Sequence, residues 1–206
     1  TTEFVEAHGR YFLYSPVFTV LFAPFAYLPA WLGPFAWNLF NYSLFFMAIF
    51  TLPQQFTQQQ KCRMFLFLLL ILGQSLLSFQ YNITVAYLFL FAYTLLEKDR
   101  GFLAVLLIMI SGCTKVYGIF ELALLLCYPH VWRNFGYAVT MGIVLLALPL
   151  IKIAPADLLP YYEEWCHSLA VHQSAGAYDS FFYARPIAAW TLPHFRALQI
   201  GMLGLL

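Results

Sequence analysis

Charge is scarce in this chain. Only 9% of its 206 residues are Asp, Glu, Lys or Arg, whereas soluble domains carry about 25%. Hydrophobic residues make up 63%, and the net charge is +1. The shortage of charge excludes an ordinary soluble domain, and the balanced charge gives no reason to expect a nucleic-acid partner. The composition predicts an integral membrane protein of the all-α class, because helices satisfy their own backbone hydrogen bonds within lipid.

The signatures of common enzymes and metal sites are also missing. The sequence has no GxSxG, P-loop, GxGxxG or HExxH motif, so the chemistry of soluble enzymes finds no support. None of the four cysteines belongs to a CxxC pair, which excludes a zinc ribbon and a disulfide framework. Cys166, His167 and His172 match no strong ligand spacing, and we interpret them as loop residues. We therefore expect no metal site and no cofactor.

Apolar runs separated by polar turns predict a polytopic transmembrane protein with several short or broken helices. The run Trp31 to Leu52 is the cleanest, because its 22 residues reach about 33 Å against about 30 Å of hydrocarbon. We expect a single transmembrane domain, 1–206, and a piece of a larger protein that lacks helices at both ends. Its predicted parts are an outer loop 1–14, helices 16–52, a helical hairpin 64–96, a second hairpin 102–128, a helix 135–151, an outer loop 152–180, and an interfacial helix with a truncated span 181–206.

Cations in the short loops predict the orientation. If both hairpins form, one side of the membrane carries Lys61, Arg63, Lys98, Arg100 and Arg133. The positive-inside rule makes that side cytoplasmic. The hairpin tips then lie toward the other side, and helices that break at polar residues are tolerated only where they line a cavity or water. We expect an outward-facing cavity there.

Lys115 is the strongest pointer to a functional site. It lies in a stretch, Phe102 to Tyr128, that is otherwise almost free of charge, where the bilayer penalises a lysine by at least about 2.5 kcal/mol. We interpret Lys115, with the neighbouring Tyr117, as a site that holds an anion. Two alternatives stay open: Lys115 snorkels to the interface, or it pairs with Glu121 across a helix break, although six residues of α-helix would put the two on different faces.

Other polar and aromatic residues are candidates for substrate binding. Gln80 and Asn82 offer carboxamides to sugar hydroxyls, or else they cap a helix. Tyr14 leads into a helix start, where backbone N–H groups can face an anion. Tyr161 and Trp165 can pack on sugar rings, or else they belong to an interfacial belt.

A set of short motifs carries a resemblance to a known family. The motifs are Tyr14-Ser15-Pro16-Val17-Phe18 with Pro24 and Leu28-Pro29, then Trp37-Asn38, Gln80-Tyr81-Asn82, Thr114-Lys115-Val116-Tyr117-Gly118, and Tyr161 with Trp165. In this order and spacing they resemble glycosyltransferase family 87, the polytopic mannosyltransferase-like enzymes of the GT-C superfold. The resemblance implies a hexosyltransferase that uses a polyprenyl-phosphate sugar as co-substrate and transfers the sugar to a lipid or glycan acceptor on the non-cytoplasmic face.

The resemblance also implies the position of the catalytic acid in the sequence and the location of the protein in the cell. The acidic residue of such enzymes sits in the first outer loop, and Thr1 to Tyr14 offers only Glu3 and Glu6, neither of which we assign. We expect that residue upstream of Thr1. The implied location is a plasma membrane, the bacterial inner membrane, with the active face periplasmic. The implied partners are membrane lipids, a lipid-linked sugar donor and the acceptor.

Two other functions remain as alternatives. A secondary transporter also uses broken helices and intramembrane charges, but it should show an inverted repeat and a site near the midplane. A non-enzymatic assembly protein would not need Lys115, Gln80 and Asn82 to converge.

Overall fold

The structure is a computed structural model that describes residues 14–77 and 81–174. Within these ranges the chain forms helices joined by short turns, and it contains no strand there, so the all-α class is confirmed. The α-helices are α1 Pro16–Ala26, α2 Leu32–Phe50, α3 Gln58–Leu77, α4 Asn82–Leu96, α5 Gly101–Thr114, α6 Val131–Leu146 and α7 Pro155–Ser174, and two 3₁₀ helices cover Val116–Cys127 and Leu148–Ile151. Three predicted parts lie outside the described residues. They are 1–13 of the outer loop, Gln80, and the predicted interfacial helix with the truncated span 181–206.

Helix is present in two places where none was predicted. The helix α3 begins at Gln58, six residues before the predicted hairpin 64–96. Thr57 and Gln60 explain this start, because the Thr57 N–H donates to Gln60 Oε1 at 2.8 Å and the Gln60 N–H donates to Thr57 Oγ1 at 3.3 Å. This reciprocal pair is a capping box. The predicted loop 152–180 is wrong over most of its length, because α7 occupies it with Pro155 at its start and Asp157 in its first turn.

The chain divides into two compact units. One unit is Tyr14–Tyr162, and the other combines Thr1–Leu13 with Glu163–Leu206. Of the second unit, the structure describes only the later part of α7. The core and the candidate site described below belong to the unit Tyr14–Tyr162.

The helices α5 and α6 run side by side in the same direction. A Cβ placed on Gly101 would meet Asn134, and one placed on Gly142 would meet Met109. Both contacts join residues that are 33 positions apart in sequence. A constant separation along two helices indicates that they are parallel. The 3₁₀ helix Val116–Cys127 returns the chain between them. Small or branched side chains fill the core of this packing, and the fully buried ones are Ala92, Ala104, Val105, Ile108 and Leu125.

The 3₁₀ conformation makes the return segment, Val116–Cys127, longer than an α-helix with the same number of residues. The 14 residues of α5 span about 21 Å, while the 12 residues of Val116–Cys127 span about 24 Å at the larger rise of a 3₁₀ helix. The second arm of the predicted hairpin 102–128 is therefore as long as the first, although it has fewer residues. Gly118 allows the arms to touch, since an added Cβ would lie 2.5 Å from Ser111 Oγ.

One helix in the described part of the chain is long and apolar enough to cross a membrane. It is Val131–Ile151, which joins α6 to the short 3₁₀ helix over 21 residues. The other apolar helices found there are shorter, and they are Pro16–Ala26, Asn82–Leu96, Gly101–Thr114 and Val116–Cys127. The run predicted as the cleanest span forms α2. This helix is not among those apolar enough to cross a membrane, and polar residues such as Asn38 and Asn41 lie within it.

The charged turns gather at one end of the unit. The Tyr128 hydroxyl donates to Glu97 Oε1 at 2.5 Å, and Arg133 lies 3.9 Å from Asp99. Burial and the Glu97 carboxylate both raise the pKa of Tyr128, so the hydroxyl stays a neutral donor. These contacts tie the turn after α4 to the turn before α6. The end of α5 that carries Lys115 lies at the opposite end of the unit.

Gly118→Ala tests the close approach of the two arms. The new methyl group would lie 2.6 Å from the Ser111 carbonyl carbon and 2.8 Å from the Gly112 nitrogen, and backbone atoms cannot move aside cheaply. We expect a loss of about 1–3 kcal/mol in stability, the usual cost of overpacking. Thermal unfolding of the purified protein in detergent measures it.

Gly136→Ala is the matched control, because nothing lies within 4 Å of a Cβ placed at this position of α6. Replacing a helical glycine by alanine in open space stabilises a helix by roughly 0.5–1 kcal/mol. Equal unfolding temperatures for the two variants would contradict the packing described for Gly118.

Candidate functional site

Lys115 occupies the break between α5 and the long 3₁₀ helix. Its backbone is extended, with φ −139° and ψ 120°, so neither helix continues through it. Two hydrogen bonds hold the turn: the Lys115 N–H donates to the Ser111 carbonyl at 3.0 Å, and the Gly118 N–H donates to the Lys115 carbonyl at 2.8 Å. The lysine thus lies at the tip of the hairpin.

The Lys115 ammonium is held by neutral groups. Its Nζ donates to Asn82 Oδ1 at 2.7 Å, and the Tyr117 hydroxyl donates to the same oxygen. Nζ also lies 4.9 Å from the centre of the Tyr117 ring and 5.5 Å from that of Tyr14, within the range of a cation–π interaction. The structure therefore brings together four of the predicted site residues around one half-buried positive charge.

The alternative pairing of Lys115 with Glu121 does not form. Glu121 Oε1 accepts a hydrogen bond from Ser111 Oγ at 2.9 Å, and the ion pair found among the described residues is Arg133–Asp99. The extended backbone of Lys115 places it outside the 3₁₀ helix that carries Glu121, so no helical repeat brings the two side chains onto one face. In the described part of the chain, no carboxylate compensates the charge of Lys115.

The helix α4 brings Asn82 to the lysine. Asn82 is its first residue, and the preceding Tyr81 N–H donates to the Tyr14 hydroxyl at 3.4 Å. The rings of Tyr14 and Tyr81 meet edge to face, with their centres 6.0 Å apart. Tyr14 thus contacts both the start of α4 and the ammonium group, and it joins the two parts of the site.

Ser15 fastens the start of α1 to the end of α5. Its N–H donates to the Thr114 carbonyl at 3.3 Å, and its hydroxyl donates to the Cys113 carbonyl. Ser15 is buried, so the two carbonyls gain partners that water would otherwise supply. Sequence reasoning included Ser15 in a motif but missed this role, because nothing local shows which carbonyls a serine before a helix will reach.

An aromatic cluster lies beneath the site. Phe18 stacks on Tyr14 with ring centres 4.5 Å apart, and it meets Tyr81 and Trp37 edge to face. Phe18, Trp37 and Tyr81 are all buried. Four motifs that are far apart in sequence therefore meet at one place, and the rigid rings hold Tyr14 in position.

Three predicted site residues are not placed with Lys115. Gln80 lies outside the described residues. Tyr161 is on α7 and is 47% exposed, and no hydrogen bond or ring contact of the described residues joins it to Lys115 or its partners. Trp165 belongs to the other compact unit. Their roles remain predictions.

The site lies toward one end of the membrane-length helix. Contacts between α5 and α6 pair residues 33 positions apart, so Lys115 is level with about position 148 of the helix Val131–Ile151. That position is close to Lys152 and far from the helix centre.

Comparison with known proteins adds a family. The model of glycosyltransferase family 87 matches residues 12–206. No curated protein and no solved structure matches the chain. The matched range includes every residue that contacts the Lys115 ammonium.

Asn82→Asp tests whether the ammonium is available to an anion. A carboxylate at this position would pair with Lys115 and compete with any bound phosphate. We expect the wild-type protein in nanodiscs to bind decyl phosphate more tightly than decyl alcohol, and the Asp variant to bind decyl phosphate about tenfold more weakly, a loss of about 1.4 kcal/mol. Isothermal titration calorimetry gives both affinities.

Asn82→Ala is the control, because it removes the same oxygen and adds no charge. It should keep the preference for decyl phosphate over the alcohol. Unchanged phosphate binding in the Asp variant, or no preference in the wild type, would show that Lys115 does not hold anions.

Proposed function

The chain belongs to glycosyltransferase family 87, and from this premise we propose that it transfers a hexose from a polyprenyl-phosphate sugar to a lipid or glycan acceptor. The observation that carries the proposal is the Lys115 ammonium, which lies among Asn82, Tyr14 and Tyr117 with no carboxylate beside it in the described part of the chain. A cation kept in an apolar helical unit, with neutral partners only, is suited to bind an anionic group of a substrate.

The lengths of the helices support a donor that is itself a lipid. The helices α4 and α5 span about 22 and 21 Å, whereas Val131–Ile151 spans about 31 Å. Their other ends lie together at the charged end of the unit. We therefore propose that several helices cross the membrane in a GT-C-like arrangement, and that Lys115 and Asn82 lie roughly 5 Å below the end of the longest helix. A phosphate attached to a membrane-embedded chain can enter at that depth.

The distribution of cations supports activity on the non-cytoplasmic side of the membrane. Lys98, Arg100 and Arg133 lie at the end away from Lys115, and the positive-inside rule would make that end cytoplasmic. The site then opens to the periplasmic side of a bacterial inner membrane. A lipid-linked donor suits that side, because soluble nucleotide sugars are made in the cytoplasm.

The proposed reaction is a displacement at the anomeric carbon. An acceptor hydroxyl oxygen attacks that carbon, the bond from the carbon to the phosphate oxygen breaks, and the hydroxyl proton passes to a carboxylate that we do not assign. Negative charge grows on the departing phosphate. Lys115 would stabilise this charge in a site of low dielectric constant, where such an interaction is strong. Asn82 would give up the ammonium to the phosphate and orient the sugar, with Gln80, Tyr161 and Trp165 as further candidates for sugar contacts.

The depth of the site argues against a secondary transporter. Transporters bind their substrates near the bilayer midplane, while Lys115 is level with the last part of the helix Val131–Ile151. An assembly protein without enzymatic activity is also less well supported, because three separate segments meet at one cation.

Lys115→Ala tests the proposed role directly. With the full-length protein in liposomes and a radiolabelled polyprenyl-phosphate sugar, we expect kcat/KM to fall by about 10²–10³-fold, the usual cost of removing one group that stabilises transition-state charge. A nucleotide sugar offered instead should give no transfer, because it does not reach the site from the lipid.

Lys152→Ala is the matched control. Lys152 is an exposed cation near the same end, where it lies 6.0 Å from the centre of the Tyr27 ring. Its removal should leave kcat/KM within about twofold, as surface charges contribute little. Full activity of Lys115→Ala, or transfer only from the nucleotide sugar, would refute the proposal.

A further inference from the structure

Glu121 is a buried acid that the proposed reaction does not use. It is 9% exposed, and its Oε2 has no hydrogen-bond partner among the described residues. A carboxyl group in such a place carries a desolvation cost. An apolar residue would avoid this cost, so the position calls for a specific contact that only a polar side chain can make.

That contact is with Ser111 on α5. Glu121 and Gly118 are three residues apart on a 3₁₀ helix, so they share the face that packs on α5. Gly118 lies against Ser111 without a side chain between them, and Glu121 Oε1 accepts from Ser111 Oγ at 2.9 Å. Ser111 itself is fully buried. The hydrogen bond therefore fixes the position of the 3₁₀ helix along α5.

Ser111 also contacts the backbone of the site. Its carbonyl accepts the Lys115 N–H at 3.0 Å and the Thr114 hydroxyl at 3.0 Å. One residue thus bonds to Glu121 through its side chain and to Lys115 through its main chain. A shift of the 3₁₀ helix along α5 would move the turn that begins at Lys115.

We infer that Glu121 is a positioning residue, which holds the 3₁₀ helix on Ser111 and thereby sets where the Lys115 ammonium lies. The inference rests on the proposed function for its effect on activity. The part of Glu121 that acts is an acceptor oxygen, not a negative charge. Glutamine keeps this oxygen and the length of the side chain, whereas leucine keeps only the volume. A displacement of about 1 Å at a reacting group can cost as much as 10²-fold in rate.

The first measurement needs no substrate. Acylation of lysines by an N-hydroxysuccinimide ester, followed by mass spectrometry of the full chain in nanodiscs, reports how accessible the half-buried Lys115 is, with Lys152 as the internal reference. We expect Glu121→Leu to raise the labelling rate of Lys115 at least threefold and Glu121→Gln to leave it within twofold. Ser111→Ala removes the donor from the other side and should act like the leucine variant, and it serves alone if that variant does not fold.

The second measurement uses a polyprenyl-phosphate sugar. Glu121→Leu and Ser111→Ala should lower kcat for this donor at least tenfold and change its KM less than threefold, because a displaced ammonium no longer meets the charge that grows on the departing phosphate. Glu121→Gln should restore the wild-type values. Leu125→Ala is the control for a merely structural defect, since Leu125 is fully buried on the same 3₁₀ helix. It should lower the unfolding temperature and leave both the labelling of Lys115 and kcat for the donor unchanged.

The two measurements separate the possible failures. If labelling changes as expected while the wild type transfers no sugar, the positioning role stands and the proposed function fails. If Glu121→Gln is as damaging as Glu121→Leu, the carboxylate charge is what matters and the inference is overturned. Unchanged labelling in both Glu121→Leu and Ser111→Ala would overturn it as well.

Discussion

A single positive charge within an apolar helical unit sets the main constraint on this structure. The Lys115 ammonium needs partners that water would otherwise provide, and it finds Asn82 Oδ1 and the faces of Tyr14 and Tyr117. Each partner comes from a different part of the chain. The starts of α1 and α4 must therefore meet the break after α5. The aromatic cluster and the two hydrogen bonds that Ser15 donates to the end of α5 hold them there.

The same arrangement suits the anion binding that we propose. Among the described residues, neutral partners keep the ammonium hydrogen-bonded and leave its charge uncompensated. A carboxylate partner would stabilise the protein but would compete with a substrate phosphate. The chain does have an acid close by in sequence, yet Glu121 bonds to Ser111 and not to Lys115. This separation keeps the acid apart from the proposed anion site.

Residue types predicted much of the site, and geometry decided the rest. A lysine in an apolar stretch and an asparagine at a helix start stand out in any sequence of this composition, so the sequence singled out Lys115 and Asn82. Ser15 and Ser111 were not, because a serine gives no sign of its partner. The contact of Glu121 was not predicted, because Ser111 lies on another helix and only the packing of the two arms brings them together. The helix α7 was missed because its residues are polar and lack a clear apolar face.

The winding of Val116–Cys127 has a consequence for distances within the unit. Twelve residues wound as an α-helix would span about 18 Å, roughly 6 Å less than in the 3₁₀ form. With Tyr128 bonded to Glu97 at the far end, the pitch of this segment sets the distance from the charged end of the unit to Lys115. Substitutions that change the pitch would change this distance without altering any residue of the candidate site.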